Sequence, residues 1–125
     1  MPINKINTSF CATIKGDQAN IIKLSMRNGL SKEQLRNDIK IIHNACPKTE
    51  DKVYLYYRDR YDIYENFKGV RSGVKVFKDG VLLEKNIDPR DTNPKFLLHK
   101  FATTVRDLVS GAIQRDETVK LYDRY

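Results

Sequence analysis

Two histidines, His43 and His99, are the chain's imidazoles, and a pair of imidazoles can serve as acid and base in RNA cleavage. In that chemistry Lys100 or Arg36 would steady the phosphorane and a tyrosine would assist. Five of the seven tyrosines, Tyr54, Tyr56, Tyr57, Tyr61 and Tyr64, fall within 11 residues and are interleaved with Arg58 and Arg60. Aromatic rings beside arginines can stack single-stranded bases, and the same pairing anchors protein interfaces. Asp59, Asp62 and Glu65 share the segment and would repel phosphate. The acids tilt that cluster toward a protein partner met by Tyr54, Tyr56, Arg58, Arg60 and Tyr64. A metal site would have to be assembled from His43, Cys46, Cys11 and His99, which lack the paired spacing of zinc modules, so no metal is expected. No phosphate-binding glycine loop, dinucleotide fingerprint, nucleophile elbow or metalloprotease helix occurs, and the chain is read as a non-enzymatic protein without a cofactor.

A third pattern is basic. Ser31 with Gln34 has the spacing of a capping box, and Leu35, Ile39 and Ile42 mark the apolar stripe of the helix that follows. Lys32, Arg36, Lys40 and His43 recur along a line beside that stripe. Upstream, Ile21, Ile22, Leu24 and Met26 predict a short helix over 19–28, closed by Asn28 and Gly29. From Ile21 to Ile42 the chain resembles a helix-turn-helix: Gly29 and Leu30 form the turn, small Ser25 sits where the helices approach, and Leu24, Leu30 and Leu35 fit buried positions. It departs from that pattern at Asn28, where an apolar residue is usual, and at Asp38, a position normally buried. The resemblance implies phosphate contacts from Lys23, Arg27, Lys32, Arg36 and Lys40, with Gln34 and Asn37 near base edges.

These patterns need elements to position them. Pro94 to Ile113 has the strongest helical pattern: Leu97, Phe101, Val105, Leu108 and Ala112 repeat at helical steps, and Asn93 with Pro94 supplies the start. It predicts a long C-terminal helix that covers a sheet. Partial alternation predicts strands over 9–15, 53–58, 61–67, 74–77 and 81–84. Residues 58–60 are read as a turn, with one bent strand as the alternative, residues 69–73 as a loop, and Asp79-Gly80 as a hairpin turn. The expected fold is α+β, an antiparallel sheet of three to five strands packed against the long C-terminal helix and two short N-terminal helices. Residues 1–125 are read as one domain, with 1–8 and 114–125 as loose ends.

The charge balance fits a binding protein. A net charge of +7 is unevenly placed, with eight Lys and Arg against three acids in residues 1–48 but nine against nine in 49–93. No apolar run approaches membrane-spanning length and no secretory signal is visible, which predicts a soluble cytoplasmic protein in a reducing compartment with no membrane partner. The leading expectation is a small nucleic-acid-binding or regulatory factor that uses the basic helix pair, with DNA and RNA equally open. The alternative is a protein-binding inhibitor or adaptor, of the kind viruses and mobile elements encode, that acts through the tyrosine-rich sheet. A small ribonuclease using His43 and His99 is the third. Oligomeric state is left open by the sequence, a homodimer included.

Overall fold

Residues 52–61 alternate Val53, Leu55 and Tyr57 against Lys52, Tyr54, Tyr56 and Arg58, and a strand with that pattern buries one face and presents the other. The computed structural model describes residues 12–117 and 121–122. The expected loose lead-in over 1–8 and the start of the predicted first strand lie outside them. Four main strands form the sheet in chain order: β1 (Thr13–Gly16), β2 (Lys52–Tyr61), β3 (Phe67–Lys78) and β4 (Val81–Asn86). A short β5 (Leu121–Tyr122) pairs with β3 at Val70 and Arg71. The helices are α1 (Gln18–Arg27), α2 (Lys32–Ala45) and α3 (Leu97–Ser110). The class is α+β.

Three expectations are corrected. The sheet is mixed, because β1 runs parallel to β2 from Thr13↔Lys52 to Gly16↔Leu55. Two helices intervene between these strands, which gives the chain the length to return and run in the same direction. The C-terminal helix is shorter than expected. Asn93 accepts from the Lys95 N–H and Pro94–Phe96 forms a 3-10 turn, α-helical geometry starts at Leu97, and Gly111 closes the helix at φ 82°. Ala112, expected on its apolar stripe, is exposed. Third, residues 58–60 are no turn, 61–67 no separate strand and 69–73 no loop: β2 runs on to Tyr61 with a register shift between Arg60 and Tyr61, and β3 starts at Phe67 and includes Gly69 and Gly73.

The third error has a steric origin. A Cβ at Gly73 would stand 2.6 Å from the Lys85 carbonyl oxygen, so glycine there permits β3 and β4 to close up rather than marking a turn. The Asp79-Gly80 hairpin forms as expected, with φ of 52° and 77° at its two centre residues and Lys78 paired to Val81.

The core lies between the sheet and the helices, with Val53, Leu55, Val74 and Val76 facing Ile21, Ile42, Leu97, Leu98, Phe101 and Val105. Helix α1 rests on β1 and β2, α3 rests on β3 and β4, and α2 packs chiefly on α3. Because no local side chain caps α3, the Leu98 N–H is met by the Ser25 hydroxyl of α1 at 3.2 Å. The capping serine of α2 behaves as expected, Ser31 Oγ accepting from the Gln34 N–H at 3.1 Å. After residue 113 the chain is tied back to β4: the Asp116 N–H donates to the Glu84 carbonyl, and its carboxylate accepts from the Asn86 N–H and Lys85 Nζ.

Candidate nucleic-acid interface

Strand register determines which side chains share the sheet's open face. Lys15 pairs with Tyr54, Tyr54 with Lys75, Lys75 with Glu84, and Lys52 with Phe77. Tyr56 pairs with Gly73, Arg58 with Arg71, and Arg60 with Gly69. Paired residues point to the same side, so one face carries Lys15, Lys52, Tyr54, Tyr56, Arg58, Arg60, Arg71, Lys75, Phe77 and Glu84. None of them joins the hydrophobic core, whereas Tyr57, on the other side of β2, does.

The aromatic groups on this face are placed by their neighbours. The Tyr56 ring, opposite a glycine, has the Arg71 guanidinium 5.2 Å and the Lys75 ammonium 5.6 Å from its centre. Burial, with a smaller push from the Glu84 charge, raises its phenol pKa, and Arg71 opposes them. Tyr54 and Phe77 meet edge to face, centroids 6.3 Å apart, and Phe77 is 41% exposed. With Lys52, Glu50 and the Asp79-Gly80 turn they bound a depression of about 430 Å³. That gives a shallow site with two rings in its wall.

The acids that weighed against nucleic acid are elsewhere. Asp59 pairs with Val70 and so projects to the opposite side of the strand from Arg58 and Arg60. The Asp62 carboxylate accepts from the Tyr64 N–H at 2.8 Å and from the Asn66 N–H at 2.9 Å, and Lys68 lies 3.7 Å away. These contacts, Asn66 first, hold its pKa below the ordinary carboxyl value. Asp79 is taken by Lys48, Asp51 by Lys78, and Asp17 by Arg58. Among the described residues no carboxylate forms an ion pair with Lys15, Lys52, Arg60, Arg71 or Lys75.

Beyond Leu55 and Gly73, where β1 and β4 end, β2 and β3 continue as a projecting hairpin with β5 alongside. Its turn is the Asp62-centred loop, with Glu65 at φ 65°, and it presents Ile63 and Tyr64 at 89% and 77% exposure. Tyr61 packs edge to face on Phe67 at 5.7 Å. Of the residues predicted to meet a partner, Tyr54, Tyr56, Arg58 and Arg60 therefore share the open face, and Tyr64 stands at the tip.

The residues predicted on the helix pair, Lys23, Arg27, Lys32, Gln34, Arg36, Asn37 and Lys40, are all exposed. They belong to the helical layer, on the other side of the sheet from the open face. Helix α1 packs on α3 and its preceding 3-10 turn, and α2 packs on α3, each more than on the other. Asp38 is buried and accepts a hydrogen bond from His99 Nδ1 at 2.7 Å, and its second oxygen has no partner among the described residues. His43 lies about 140° around α2 from Asp38, beside Ile22 and Ile39. The two histidines are thus turned to different surroundings. Burial lowers the His43 pKa, and burial, with Asp51 nearby and Lys78 opposing, raises the Cys46 thiol to about 11. Among the described residues no three His, Cys, Asp or Glu side chains gather as metal ligands, and no helix is long and apolar enough to cross a membrane.

Sequence reasoning missed Lys15, Lys52, Arg71, Lys75 and Phe77. A signal for two of them was present: counting back from the Asp79-Gly80 turn by twos places Phe77 and Lys75 on one face. Arg71 was hidden by the reading of 69–73 as a loop. No family model, no curated protein and no solved structure matches this chain.

Proposed function

We propose that the protein is a nucleic-acid-binding factor that acts without catalysis and holds a single-stranded segment across the open face of its sheet. Tyr54 and Phe77 would stack bases, and Lys15, Lys52, Arg60, Arg71 and Lys75 would meet phosphates. One observation carries the reading: a single sheet face holds five cations that no described carboxylate pairs and two accessible rings, with Glu84 on the face and Glu50 and Asp79 at the edge of the depression that the rings line. A protein interface of ordinary composition is depleted in lysine, which this face is not.

Fluorescence anisotropy with a labelled single-stranded oligonucleotide tests this. Tyr54→Leu and Phe77→Leu keep apolar bulk in place and remove the ring, and each should weaken binding by roughly 1–3 kcal/mol. Binding that is undetectable at about 50 mM salt, or that survives loss of both rings unchanged, would sink the proposal.

A protein-binding inhibitor or adaptor is the second reading, favoured by one feature, the exposed Ile63 and Tyr64 on a turn already fixed by Asp62. A rigid apolar tip loses little entropy on docking. Ile63→Ser with Tyr64→Ser should abolish capture of a stoichiometric protein from nuclease-treated lysate if that reading is right, and capture that persists would count against it.

A further inference from the structure

The buried stripe of α2 is not the line that its apolar residues mark. The buried line runs through Asp38 and Ile42, about 60° around the helix from the line through Leu35 and Ile39. Pairing with His99 draws Asp38 inward, and α2 is rotated to suit. Leu35 and Ile39 are left half-buried, facing Ile22 of α1 across an open groove of about 610 Å³. Arg36, Lys40, His43 and Asn44 make up the rest of its wall, and no acidic side chain lines it. No described carboxylate forms an ion pair with Arg36 or Lys40.

We infer that this groove is a docking site for an acidic amphipathic helix from another protein, its apolar stripe laid on Ile22, Leu35 and Ile39 and its carboxylates over Arg36 and Lys40. Charge complementarity selects the occupant. A second copy placed groove to groove about a twofold axis would set Arg36 and Lys40 against the same residues of its partner, a like-charge contact that costs affinity. The chain's own segment 1–11 carries Lys5 and no acid, so it offers no complement. Duplex nucleic acid would meet the cations but would place phosphates over three aliphatic side chains with nothing to bury there. An acidic helix with leucine or isoleucine at i, i+3 or i+4, and i+7 satisfies both parts of the surface. The groove lies on the helical layer, apart from the open sheet face.

The probe is a synthetic peptide of about 18 residues, five helical turns, with leucine along one stripe and glutamate and alanine elsewhere. It is compared with a scrambled peptide of the same composition and with duplex DNA. The full chain should bind the amphipathic peptide about tenfold more tightly than the scrambled one, with amide shifts centred on Ile22, Leu35 and Ile39. Ile39→Ser should weaken it about fivefold. Arg36→Glu with Lys40→Glu should weaken it about tenfold or more and transfer preference to a peptide with lysine in place of glutamate. Since that reversal is a gain of binding, a misfolded variant cannot imitate it. Equal affinity for the scrambled peptide, no change in Ile39→Ser, or displacement of the peptide by duplex DNA at equal concentration would each overturn the docking site. Oligonucleotide binding to the sheet face, measured on the same variants, should be unaltered, so the two surfaces succeed or fail separately.

Discussion

Removing Lys15 and Lys52 should flatten the salt dependence of single-strand binding by a calculable amount. Both side chains lie on the open face, on neighbouring strands, and neither forms an ion pair with a described residue. Lys15→Gln with Lys52→Gln therefore removes charge while leaving the packing intact. Each phosphate neutralised on a single strand contributes about 0.7 to the slope of log affinity against log salt. Full engagement of Lys15, Lys52, Arg60, Arg71 and Lys75 gives a slope of about −3.5, so affinity should fall about a hundredfold between roughly 50 and 200 mM salt. With the two lysines gone the slope should be about −2.1 and the fall about twentyfold. The control is Arg36→Gln with Lys40→Gln on the helical layer, which should leave the slope where it was. Anisotropy titrations at four or more salt concentrations read all three proteins. If the helix variant flattened the slope and the sheet variant did not, the interface would be on the helix pair and the open-face reading would be wrong.

Two further outcomes follow from groups off that face. His99→Ala strips the buried Asp38 carboxylate of its described partner and should cost about 2–3 kcal/mol in a urea melt, whereas a double change of both residues to leucine should recover most of it because a well-packed apolar pair replaces two polar groups. A double variant no more stable than His99→Ala would show that the cost is one of packing alone. At the hairpin tip, the folded pKa of Asp62 is lowered, so the order it contributes is complete above the ordinary carboxyl value near 4 and is lost as pH falls through the folded value. The amide resonances of Tyr64 and Asn66 should titrate together below about pH 4; their titration above it would contradict the hydrogen-bond assignment.

What the sequence made legible was local. Ser31 with Gln34, Asp79 with Gly80, and Pro94 after Asn93 each carry their own instructions within four residues, and each appears in the fold near its expected place. What stayed hidden depended on distance along the chain. Nothing near Thr13 states that β1 will lie parallel to β2, since that depends on how two intervening helices pack. Asp38 looked like a flaw in a helix-turn-helix because its partner is His99, and the turn of α2 that exposes Leu35 and Ile39 follows from that remote pair. The candidate face was obscured by Gly69 and Gly73, whose breaker reputation concealed a strand and with it Arg71.

The hydroxyl that Ser25 offers to Leu98 also bears on how the chain is made. A ribosome delivers α1 long before α3, so the acceptor for the last helix is already in place when that helix emerges. Residues 97–110 contain good helix formers but have no cap of their own, and a helix of that length is marginal in isolation. Its first turn should therefore become secure only on docking, which makes formation of the C-terminal helix and closure of the core a single late event. Truncations that stop short of Leu98 should leave the N-terminal helices without the surface that organises them.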